Sequence, residues 1–134
     1  MSIIGASIAD GASSAAATGG TATTFGAGGK DINAGVQVID TSETDLRIQS
    51  DYIFTNKPHA LQSDGTYSKA RRRFVHNRPK ILSDDTIVVN RGRVEFEIHP
   101  ESTQTEILNL RLMTAQAIFL AAMDDFYNSG TYRD

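Results

Sequence analysis

Cysteine and tryptophan are both absent from the 134 residues. Without cysteine there is no disulfide framework, no thiolate zinc site and no thiol nucleophile, a composition suited to a reducing compartment. Proline occurs only three times, too seldom for a polyproline or collagen-like chain. Long hydrophobic runs are missing too. The longest, Ala115 to Met123 with Gln116 inside it, stops at Asp124-Asp125, well short of the ~20 residues that span a bilayer. No Lys or Arg precedes Lys30, so the amino terminus lacks the charged start of a secretory signal. A soluble, unprocessed protein without a membrane partner is expected.

Catalytic signatures are equally scarce. Gly29-Lys30 invites comparison with a phosphate-binding loop, but Thr24 stands at the first glycine position and Asp31 follows the lysine. His59, His76 and His99 are scattered without metal-ligand spacing. Asp84-Asp85 and Asp124-Asp125 are adjacent pairs, not opposed acid–base partners. No nucleophile elbow, zinc motif or dinucleotide fingerprint occurs. Neither an enzyme nor a metal or cofactor is expected.

What is present is a concentration of positive charge. The chain carries a net −3, yet Lys69, Arg71, Arg72, Arg73, Arg78, Lys80, Arg91 and Arg93 are opposed within their segment only by Asp84 and Asp85. That segment is +6, while residues 1–68 are −4 and residues 94–134 are −5. A basic stripe in an acidic protein points to one polyanion-facing surface. The competing reading is an ordinary solvated face.

A length of 134 residues suits one domain, 1–134, and three regions follow one another in it. Residues 1–35 are rich in Gly, Ala, Ser and Thr, which bury little area and predict an irregular stretch or a flat hairpin. Within it Thr21 to Phe25 has strand composition and Gly26 to Gly29 reads as a turn or bulge. Residues 36–98 alternate as an antiparallel sheet. Val36 to Ile39 alternates weakly. Leu46, Ile48, Tyr52 and Phe54 form the apolar face of a strand whose other face carries Arg47, Gln49, Asp51 and Thr55. The next strand, Tyr67 to Asn77, sets Lys69, Arg71 and Arg73 against Ala70 and Phe74, and Pro79 is expected to end it. From Thr86 to Ile98, Val88, Val94, Phe96 and Ile98 oppose Arg91, Arg93, Glu95 and Glu97. Gly92 predicts a bulge or a close backbone approach. Each strand has one apolar and one polar face, as an antiparallel sheet covered on one side requires.

Residues 102–128 read as helix. Thr103-Gln104-Thr105-Glu106 is a capping box, and Gly130 suits a left-handed cap. Leu108, Leu112, Ala115, Phe119, Ala122 and Phe126 recur at steps of four and three as one stripe. Ile107, Leu110, Met113, Ala117, Ile118, Leu120 and Ala121 widen it beyond a single face. One sheet cannot cover both sides of such a helix, so the stripe is expected at a homodimer interface.

Arg47, Lys69, Arg71, Arg73, Arg91 and Arg93 are the candidate nucleic-acid contacts. Alternate residues of a strand lie about 6.5–7 Å apart on one face, a spacing comparable to that of phosphates, which arginine grips through a fork of donors. Tyr67 and Phe74 offer rings for base stacking, although packing is the better use of Phe74. Arg72 shares the covered side with Phe74, where Asp124, Asp125 or a chain terminus is its expected partner.

Several runs resemble the coat proteins of single-stranded RNA bacteriophages. They are Asn109 to Phe119, Asp124 to Tyr132, the strand Arg91 to Pro100 that precedes them, and the arginine-rich strand ending in Asn77-Arg78-Pro79. The likeness is good over residues 67–132, moderate over 36–66, and rests before that on length and order. The resemblance implies an α+β fold: an amino-terminal β-hairpin, a five-stranded antiparallel sheet, then one or two carboxy-terminal α-helices. It also implies an intertwined dimer, its sheets joined edge to edge and the helices of each subunit over the sheet of the other. Dimers would close an icosahedral shell around single-stranded viral RNA, including a hairpin, in the cytoplasm of a bacterial host. With no Gly or Pro between Glu101 and Ser129, a break between two helices is expected near Arg111 to Thr114, or the helix is continuous. A dimeric RNA- or DNA-binding regulator that forms no shell fits the residues as well.

Overall fold

The computed structural model describes Gly11, residues 25–28 and residues 35–131. It divides into two compact units, residues 20–101 and residues 1–19 with 102–134.

The first unit is an antiparallel sheet of five strands in sequential order. They are β1 (Phe25–Ala27), β2 (Gly35–Asp40), β3 (Asp51–Lys57), β4 (Ala70–Ile81) and β5 (Ile87–Ile98). Period-two alternation is clearest in β3, in β4 around Arg73 and Phe74 and in β5 from Arg93 to Ile98, while Arg78-Pro79-Lys80-Ile81 and Ile87-Val88-Val89 depart from it. On one face lie Val36, Val38, Tyr52, Phe54, Phe74, Val94 and Phe96. Their rings form a chain of contacts. Phe25 and Tyr52 are 4.7 Å apart, Phe54 and Phe74 5.0 Å, and His76 stacks on Tyr52 at 4.4 Å. A groove of about 640 Å³ opens there, with Val36, Phe54, Phe74 and Phe96 among its walls. Among the described residues of the sheet unit nothing seals it, and Val36 stays 60% exposed and Phe54 45%.

Two connections share one turn chemistry. In Gln62-Ser63-Asp64-Gly65-Thr66 and Leu82-Ser83-Asp84-Asp85-Thr86, the first N–H donates to the last carbonyl, at 2.7 and 2.8 Å. In each, Asp Oδ1 accepts from both the N–H and the hydroxyl of the threonine. Those bonds hold Asp64 and Asp84 below the usual carboxylate range. The fourth position takes positive φ, +83° at Gly65 and +64° at Asp85. Glycine adopts that conformation freely, whereas Asp only tolerates it.

Four local expectations need correction. Residues 46–50 are not strand: Asp45 accepts from the Arg47 N–H and guanidinium and bends the chain into a turn, and β3 begins only at Asp51. Strand β4 starts at Ala70 rather than Tyr67 and continues through Pro79, which pairs with Val89. Beyond Asn77 it has a neighbour only on its β5 side, the edge situation in which a strand accepts proline. Gly26 and Ala27 belong to β1; residues 21–24 and 29–34 lie outside the described residues. Gly92 pairs in unbroken register with His76 and has open space where a Cβ would stand. The close approach is instead at Gly28, where a Cβ would meet the Gln37 side chain at 2.6 Å.

The second unit is helical. Helix α1 (Gln104–Ile118) starts at the expected capping box, Glu106 N–H donating to Thr103 Oγ1 at 3.2 Å and Thr103 N–H to Glu106 Oε2 at 2.7 Å. A 3₁₀ turn (Ala121–Met123) leads into α2 (Asp124–Ser129), which Gly130 closes at φ 73°. Two helices are thus present, bent by 57°, and the break falls at Phe119-Leu120, not between Arg111 and Thr114. The Thr114 hydroxyl bonds back to the Leu110 carbonyl at 2.8 Å, but α1 runs on past it. Leu120, at φ −61° and ψ 130°, is the residue that leaves the helix. Among the described residues no single helix is long and apolar enough to cross a membrane.

Buried apolar side chains are few: Ala70, Ile98, Leu112 and Ala122 among the described residues.

Candidate nucleic-acid interface

The register also composes the polar face of the sheet. Across β3, β4 and β5, Lys57, Arg71 and Glu97 form one row and Thr55, Arg73 and Glu95 the next. Ile53, Val75 and Arg93 follow, then Asp51, Asn77 and Arg91. Strand β2 adds Gln37 beside Ile53. The arginines proposed on β4 and β5 therefore share one face, which carries five cations, Lys57, Arg71, Arg73, Arg91 and Arg93, against three acids, Asp51, Glu95 and Glu97.

Each cation has a distinct setting. Arg71 Nε lies 3.4 Å from Glu97, and Arg73 reaches Glu95 at 3.5 Å. Arg91 Nε donates to Asn77 Oδ1 at 2.6 Å, a neutral partner that aims the guanidinium without cancelling its charge. Arg93 stands opposite Val75, and among the described residues it makes no ion pair. Asp51 is held by Gln37, whose Nε2 donates to it at 2.7 Å. Gln37 is itself buried, and its Oε1 has no partner among the described atoms. Beside the first two rows is a hollow of about 370 Å³ walled by Thr55, Lys57, Pro58, Arg71, Arg73 and Glu95, among others.

Other candidates fall elsewhere. Lys69 is exposed just before β4. Arg47 is in the turn after β2, with its guanidinium 2.9 Å from Asp45. That partner raises the Arg47 pKa further, and the hydrogen bond from Arg47 lowers that of Asp45. Arg72, Arg78 and Lys80 take the alternate positions of β4 and so stand on the aromatic face. Seven of the eight cations of the basic segment are thus divided between the two sides of the sheet, and Lys69 precedes it. Arg72 is exposed there, and no ion pair joins it to another described residue. Burial lowers the His76 pKa, with Arg78 adding to the effect and Asp51 opposing it.

Lys57, Asn77 and the pairing role of Glu95 and Glu97 escaped the sequence reading. Residue identity shows which side chains alternate, but only register shows which acid faces which arginine. Of the helical stripe, Leu112 and Ala122 are buried, while Leu108 is 46%, Phe119 85% and Phe126 39% exposed. No group of three or more His, Asp or Glu among the described residues is arranged to hold a metal ion.

No family model matches this chain, and no curated protein matches it. Solved structures do. The virus-like particle of bacteriophage GQ-907 is 34% identical over 98% of this chain and 100% of that one, with a TM-score of 0.91. The virus-like particles of bacteriophages AVE019 and ESE058 are 13% and 15% identical. They cover 82% and 84% of this chain, and 86% and 88% of their own, with TM-scores of 0.67 and 0.66. At that identity the latter two share the fold alone. The two-faced sheet followed by two helices, and the full-length likeness to the first of these particles, place the chain in the coat-protein family of single-stranded RNA bacteriophages.

Proposed function

We propose that this coat protein dimerises, that its dimers close an icosahedral shell in the bacterial host, and that the polar face of the sheet holds single-stranded RNA. The observation that carries this reading is the opposite chemistry of the two sheet faces. One presents an open aromatic groove with Arg72, Arg78 and Lys80 along its strand β4, and the other presents Lys57 and four arginines without an aromatic cluster.

The aromatic face argues for a partner. Burying a large apolar side chain such as Phe54 stabilises by about 1.5–3 kcal/mol, and here several are left uncovered. A second copy supplies matching surface in Leu108, Leu110 and Phe119, which are exposed on the helical unit. With so few buried apolar side chains among the described residues, folding and dimerisation are expected to be one event. The polar face then remains for RNA, whose phosphates the arginine forks suit.

The test is to express the chain alone in bacteria, purify assemblies by size, treat them with nuclease and extract them. Uniform particles containing protected RNA support the reading. Dimers that bind nucleic acid at all protein concentrations without assembling would favour a regulator instead.

A further inference from the structure

The polar face is graded along its strands. At one end Arg91 is aimed by a neutral amide and Arg93 faces Val75, so neither is ion-paired; the acid of that end, Asp51, lies two strands from Arg91 and accepts from Gln37. At the other, Arg71 and Arg73 each face a glutamate at 3.4 and 3.5 Å, with Lys57 beside Arg71, so the two ends carry the same net charge and differ in how their arginines are paired. The four side chains of these two ion pairs are 35–55% exposed. Pairs so open to solvent contribute little to stability, so holding the sheet together does not account for two carboxylates on this face. Their effect on a ligand is larger. A phosphate approaching Arg71 or Arg73 also approaches Glu97 or Glu95 and is repelled. A base edge carrying an amino group is not, because a carboxylate accepts its hydrogen bond, as Glu does from cytosine N4.

We infer that Glu95 and Glu97 determine RNA specificity on this face, admitting bare backbone at the Arg91–Arg93 end and requiring exposed base amino groups at the Arg71–Arg73 end. This rests on the RNA-binding reading above and names the kind of RNA that reading requires. RNA whose unpaired bases turn their amino edges toward β5 satisfies both ends at once. A chain that offers phosphates alone satisfies one.

The experiment compares the parent with E95Q/E97Q, each freed of RNA, in binding to short polyuridylate and polycytidylate across a salt series. Glutamine keeps the shape and removes the charge. The parent should prefer polycytidylate, which carries the N4 amino group that polyuridylate lacks. The double variant should bind polyuridylate roughly two- to eight-fold tighter, the range set by two like charges about 7 Å from a phosphate with and without salt screening. Its salt dependence should steepen, and its preference for polycytidylate should shrink. E95Q and E97Q alone should each give part of the change, with circular dichroism unaltered. A parent that binds RNA, beside variants with unchanged affinity, slope and preference, overturns the assignment and leaves the RNA-binding reading intact. A parent that binds neither RNA overturns both.

Discussion

Replacing Arg71 and Arg73 together by Ser separates RNA binding from folding. Both side chains are about half exposed, and their glutamate partners lie at 3.4 and 3.5 Å. Exposed pairs of this kind are worth about 0–1 kcal/mol each, so the folded protein should lose at most a few degrees of thermal stability. The electrostatic change is larger. Five cations against three acids become three against three, and the face loses its net positive charge. On single-stranded RNA each lost phosphate contact flattens the dependence of log affinity on log salt by about 0.7. Two contacts set a ceiling of roughly 1.4 per subunit, approached only where phosphate displaces both glutamates. Fluorescence anisotropy with labelled RNA across a salt series measures the slope. The ultraviolet absorbance of purified particles measures their nucleic-acid content, which should fall. A folded double variant with the parental RNA affinity and RNA content would refute the role given to this strand.

Leu112→Asp puts a charge in a buried apolar site and should abolish soluble folded protein, judged by expression and circular dichroism. Phe119 is 85% exposed within one subunit, and the proposed dimer buries it, so Phe119→Asp should do the same; a folded, soluble monomer would count against that interface. Asp85→Gly removes the cost of φ +64° and should raise the midpoint of thermal unfolding, by an amount equivalent to about 1 kcal/mol. His76 has a folded-state pKa below its ordinary 6.5, so the unfolded chain takes up its proton first and stability falls as pH drops below that value. His76→Phe keeps a ring beside Tyr52, and its thermal stability should fall less between neutral and mildly acid pH than the parent's.

The sheet was legible wherever apolar and polar residues alternate, as around Arg73 and Phe74 and from Arg93 to Ile98. The start of α1 was legible because Thr103 and Glu106 satisfy each other's backbone donors locally. Leu46 to Gln49 alternates just as well, yet Asp45 turns the chain there through side-chain bonds that compete with strand pairing. Pro79 was misread because proline is excluded only where a neighbouring strand needs an N–H at that position, and β3 stops short of it. The helix break at Phe119-Leu120 has no glycine or proline to announce it. For the interface, alternation alone put Arg71, Arg73, Arg91 and Arg93 on polar faces. That Glu97 and Glu95 stand directly opposite the first two depends on register, which joins residues 22 and 26 positions apart.

A reconstruction by electron microscopy of particles formed from the chain expressed alone tests the central claim most directly. The account predicts a closed shell of dimers, with Arg91 and Arg93 on a sheet face lining the interior beside nucleic-acid density. It also predicts that Val36, Phe54, Phe74 and Phe96 are covered by the helices of the partner subunit. A shell whose interior is lined by that aromatic face, or protein that forms no shell at all, would contradict it.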